Sequence, residues 1–79
     1  MANDMERVDR FLDALSKRYL DTFEKAHMVR VQMEVFPEVD WIDALRRAAE
    51  RQEAQHPEAN AMRGLLRHLA PELVGAGGA

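Results

Sequence analysis

Residues 4–36 read DMERVDRFLDALSKRYLDTFEKAHMVRVQMEVF, and the way this stretch folds decides the architecture. It contains neither glycine nor proline, so no residue in it obliges a helix to stop. Positions 5, 8, 12, 15, 19, 22, 26, 29, 33 and 36, alternately three and four apart, are Met, Val, Leu, Leu, Tyr, Thr, Ala, Val, Met and Phe. Every charged residue of the stretch lies off that seam, the pattern of a helix that turns one continuous stripe toward a partner. Glu6 with Arg10, Asp13 with Lys17 and Asp21 with Lys25 place acid before base at i,i+4, each adding roughly 0.2–0.5 kcal/mol to an exposed helix. Asn3 is a candidate N-cap, with Glu6 completing a capping box. The reading is one long N-terminal helix ending near Phe36.

A shorter pattern competes with it inside residues 28–36. Val29, Val31, Met33 and Val35 alternate with Arg30, Gln32 and Glu34, the period of a half-buried strand. The chain offers no second strand, so such a strand would have to pair with the same segment of another copy to satisfy its amides and carbonyls. The seam continues through Ala26, Val29, Met33 and Phe36, which favours the helix.

Beyond Pro37 the sequence divides at its prolines. Asp40 is placed to cap a helix from Trp41 to about Gln55, with Asp43 in the first turn where a negative charge meets the positive end of the dipole. A third helix begins with Pro57 at its first position or with Asn60 as cap, and Pro71 is expected to close it. Residues 1–74 then form one helical domain, and the glycine-rich residues 75–79 a disordered tail. Trp41, Ile42, Leu45, Ala48 and Ala49 give the second helix an alanine-rich stripe, and Met62, Leu65, Leu66, Leu69 and Leu73 give the third a wide one. Gly64 inside the third helix costs about 1 kcal/mol against alanine, which suggests that another backbone approaches there. Trp41 at the start of its helix is expected to pack that turn onto the core.

The whole chain has 79 residues, 47% hydrophobic and 32% charged, with a net charge of −3. That is a folded globular composition without the global positive field that draws proteins to nucleic acid or anionic lipid. There is no cysteine, which removes disulfides, thiolate metal sites and thiol catalysis and suits a reducing cytoplasm. Met1 to Phe11 lack the apolar core of a secretion signal, and no charge-free run is long enough to span a bilayer. A cytoplasmic location without membrane contact is the expectation.

Three chemistries are weighed on particular residues. Glu24-x-x-His27 and Glu53-x-x-His56 each set a carboxylate and an imidazole on one helix face, where they can share a metal. At motif level they resemble the Glu-x-x-His element of ferritin-like di-iron proteins, which would make the chain a metal-carboxylate protein assembled across subunits. His56 directly precedes Pro57, further bridging glutamates are not evident, and solvated surface charge is the simpler reading, so no cofactor is expected. Nucleophilic catalysis has only Ser16, Tyr19 and Thr22 as hydroxyl groups and no strand-turn-helix context to hold one of them. Arg46, Arg47, Arg51, Arg63, Arg67 and His68 are the residues with which a dimeric transcription regulator would meet DNA, but the acids of the same half outnumber its arginines.

What remains is assembly. A helix over residues 4–36 is about 50 Å long at 1.5 Å per residue, whereas a compact chain of this length has a diameter of about 30 Å. The overhanging seam is expected to be covered by a second copy, with Leu12, Leu15, Tyr19, Phe23, Val29, Met33 and Phe36 at the interface. The resulting expectation is an all-α fold of three helices, a long one and a shorter hairpin, assembled as a dimeric helical bundle. Its function is expected to be that of a non-enzymatic protein-interaction module, a small cytoplasmic adaptor or an inhibitor of a larger cytoplasmic protein.

Overall fold

The seam folds in half. The computed structural model describes residues 4–53 and 55–78, with side chains as far as Leu73. Where one long helix is expected there are two, α1 (Asp4–Ser16) and α2 (Thr22–Val35), followed by α3 (Trp41–Glu50) and α4 (Pro57–Gly78). The described residues contain no strand, so residues 28–35 are helix and not an intermolecular ribbon.

The break needs neither glycine nor proline because Asp21 caps a new helix. Its backbone is extended, at φ −76° and ψ 172°, and its side chain accepts the Glu24 N–H at 2.8 Å. Before it, α1 closes through short-range bonds from Lys17 N–H to the Ala14 carbonyl and from Arg18 N–H to the Leu15 carbonyl. Size supplies the driving force. The molecule measures 33 × 32 × 19 Å with a radius of gyration of 11.9 Å, too short in every direction for a helix of about 50 Å. Folding back lets both halves of the seam meet one core. Val8, Leu12, Leu15, Ala26 and Val29 are buried, and Met5, Met33 and Phe36 pack partly against them.

The expected i,i+4 pairs fare differently because of the same break. Arg10 holds Glu6 at 2.6 Å as expected. Asp13 instead meets Arg51, the C-cap of α3, at 2.8 Å, and Asp21 is engaged as a cap. The Asn3 cap lies outside the described residues.

The α3 boundary follows Asp40, whose side chain accepts the Asp43 N–H at 3.1 Å. Trp41 is buried as expected, and its indole N–H donates to the Phe36 carbonyl at 3.1 Å, fixing the turn around Pro37. The alanine-rich stripe of α3 is buried at Ala44, Ala48 and Ala49 against Met62, Leu65 and Leu69 of α4. α4 is the element that each other helix touches, whereas α1 and α2, neighbours in sequence, pack little on each other: α1 rests on α3 and α4, and α2 on α4.

Three local expectations are corrected. α3 ends at Glu50, not near Gln55. α4 does start at Pro57, but it passes through Pro71 and continues to Gly78, into the residues expected to form a disordered tail. Pro71 removes one backbone hydrogen bond, and the turn after it is held by Leu73 against the core and Glu72 in an ion pair with Arg30 of α2. Gly64 has no atom within 4 Å of where its Cβ would stand, so no neighbouring backbone explains it.

Candidate functional site

The residues expected at a subunit interface fall into two groups. Leu12, Leu15 and Val29 are covered by their own chain, with at most 1% of their surface exposed, and Met33 and Phe36 are half-buried against the same core. Tyr19 and Phe23 remain outside, 105% and 72% exposed, and Val31 and Val35 join them at 47% and 60%. These four are the exposed large hydrophobic residues among those described, and all belong to α2 or the elbow before it.

The local sequence explains why α2 is apolar on two sides. Wound at 3.6 residues per turn, the strand-like alternation separates into two stripes. Ala26, Val29, Met33 and Phe36 form the inner one, while Phe23, His27, Val31 and Val35, spaced four apart, form an outer ridge. Alternation at residues 29–35 was therefore the sequence signal for an unpartnered helix face. A shallow depression of about 480 Å³ lies at its N-terminal end, lined by Leu20, Phe23, Glu24, His27 and Met28. The Phe23 ring meets the edge of His68 of α4 at 5.1 Å between centroids, at 77° between planes, which steadies it without covering it.

The charges beside this ridge are fixed. Arg30 reaches across to α4, with Nε 3.0 Å and Nη2 2.5 Å from the two Glu72 carboxylate oxygens. The hydrogen bond from Arg30 holds the Glu72 carboxyl below its ordinary range, and the same bond raises the Arg30 guanidinium. Glu24 and His27 are exposed on the outer side of α2, whereas Glu53 and His56 lie in the loop between α3 and α4 and not on a helix. His56 Nδ1 accepts the Glu58 N–H at 3.1 Å. Among the described residues no group of three or more histidine, aspartate or glutamate side chains is placed to hold a metal ion.

The arginines considered for DNA are largely spent on the fold. Arg46 bonds Asp43 at 2.9 Å, a bond that raises its own guanidinium. Arg47 reaches Asp9 at 2.9 Å, and Arg51 bonds Asp13 at 2.8 Å and 3.1 Å. These pairs fasten α3 to α1. Arg63 donates to Asn60 within its own helix. Ser16, considered as a hydroxyl nucleophile, is buried and donates to the Asp13 carbonyl at 2.7 Å, a helix-end role. No helix among the described residues is long and apolar enough to cross a membrane. Comparison with protein-family models, with curated proteins and with solved structures finds no match to this chain.

Proposed function

We propose that the chain is a non-enzymatic protein-interaction module and that the outer ridge of α2 is the surface through which it pairs with a second copy. The observation that carries this reading is the symmetry of the ridge about His27. Phe23 and Val31, both exposed, lie four residues to either side of it, one helical turn away in each direction. An antiparallel two-fold pairing centred on His27 therefore sets Phe23 of each copy against Val31 of the other. Such self-complementarity is what an isologous contact requires. Leaving these side chains wet forgoes roughly 1.5–3 kcal/mol for each one that full burial would cover. In the pair, each copy keeps its remaining surface free, the arrangement of a small adaptor with two identical arms.

Light scattering on a size-exclusion column tests the reading. The chain is expected at twice its 9.0 kDa mass at tens of micromolar, and Val31→Glu or Phe23→Glu is expected to run as a monomer with unchanged helix content, since both sites are exposed. A monomeric wild-type chain, or a dimer indifferent to both substitutions, contradicts it.

A further inference from the structure

A second surface, resting on different residues from the α2 ridge, gathers positive charge in a chain of net charge −3. At the elbow between α1 and α2, a cleft of about 330 Å³ has Lys17, Arg18, Lys25, His56 and a single acid, Glu58, in its wall together with Ser16, Tyr19 and Ala61, and it opens beside Pro57 at the start of α4. Lys25 is the unusual member. The residue is only 6% exposed, yet its ammonium keeps contact with water and has no hydrogen-bond or carboxylate partner among the described residues. Asp21, four residues before it, is occupied as the α2 cap. A lysine whose stem is covered while its head stays at the water boundary, with no partner in its own chain, is available to an anion.

The surrounding groups are also set up as donors. His56 Nδ1 accepts the Glu58 N–H, so the neutral ring carries its proton on Nε2, and the 3.9 Å approach of the Glu58 carboxylate to Nδ1 is not an ion pair. The first amides of α4 are already satisfied, Glu58 N–H by this ring and Ala59 and Asn60 N–H by the His56 carbonyl. An anion in the cleft would thus be held by side chains, with the positive end of the α4 dipole adding to the field.

We infer that this cleft binds a phosphate dianion, free or as the monoester of a small molecule, with the unpartnered Lys25 ammonium as its anchor and Lys17, Arg18 and His56 around it. Several cationic donors converging on one small space match a compact group with several acceptor oxygens and two charges better than a single carboxylate. The volume is at the small end for ligand sites, which fits a phosphate with a short organic group.

The test is an amide-resolved NMR titration of the full chain at constant ionic strength with inorganic phosphate, phenyl phosphate and acetate as separate probes. Saturable shifts confined to residues 16–25 and 56–61 are expected for the two phosphates, with acetate at least tenfold weaker, and the tighter phosphate identifies the free ion or the ester as the source. Lys25→Met is expected to lower phosphate affinity at least tenfold while the thermal midpoint is essentially unchanged, because the ammonium has no partner in its own chain to lose. Arg18→Gln, at an exposed site, is expected to weaken binding several-fold. Shifts that do not saturate, acetate binding as tightly as phosphate, or a folded Lys25→Met chain that binds like the wild type would overturn the inference.

Discussion

At the scale of single residues, Gly64 and Glu72 carry the sharpest consequences. Open space around Gly64 means that alanine there gains helix propensity without a clash, so Gly64→Ala is expected to stabilise the chain by about 0.5–1 kcal/mol in urea unfolding. Destabilisation would restore the close backbone approach that the sequence suggests. Glu72 titrates below its ordinary value of 4.5 because Arg30 bonds its charged form. A carboxylate lowered on folding stabilises the native state above its unfolded pKa and loses that contribution as pH falls through the folded one. Thermal midpoints of the wild type should therefore fall toward those of Glu72→Gln as pH drops from near 4.5 to below it, and parallel pH curves for the two proteins would show that the pair contributes nothing. The contribution is small, since both side chains are solvent-exposed.

At the scale of elements, the cap at Asp21 separates this fold from a single long helix. Asp21→Ala should cost about 1 kcal/mol of stability, the usual worth of an N-cap, read from denaturant unfolding with helix content unchanged. A gain in helicity or stability on the same substitution would mean that residues 17–21 prefer to continue α1. The cap was legible as Asp21-x-x-Glu24, a carboxylate at N-cap with a glutamate three residues on. It was obscured because Asp21 also forms a favourable i,i+4 pattern with Lys25, and because the seam keeps its phase across the elbow at Tyr19 and Thr22. The seam itself was read correctly as a buried face at Val8, Leu12, Leu15, Ala26 and Val29. Its partner was not legible, since periodicity tells which residues are covered and not whether the covering helix belongs to the same chain. The caps and starts at Asp40 and Pro57 were readable because each rests on one local residue type. The continuation of α4 through Pro71 was not, as it depends on the distant Arg30 and on the core under Leu73. Lys25 was likewise assigned to a surface pair, and its burial becomes visible only once α2 is laid against α4.

At the scale of the whole molecule, folding the seam in half moves the unpartnered apolar surface from the centre of one long helix to the outer ridge of α2. This shift also changes what substitutions mean. Leu15 is within the core of its own chain, so Leu15→Glu should unfold the monomer, whereas Val31→Glu should only separate copies. Because the chain has no cysteine, a single His27→Cys substitution places a thiol on the proposed two-fold axis with no competing thiol. Helices packed 8–10 Å apart bring residues on such an axis within the Cα separations of a disulfide. The most direct measurement is mild oxidation of His27→Cys beside Glu50→Cys, an exposed site on α3, followed by non-reducing electrophoresis across a dilution series. A rapid covalent dimer at His27→Cys, persisting at micromolar protein and far ahead of Glu50→Cys, is the result that the α2 pairing predicts; equal and slow cross-linking at both positions would contradict it.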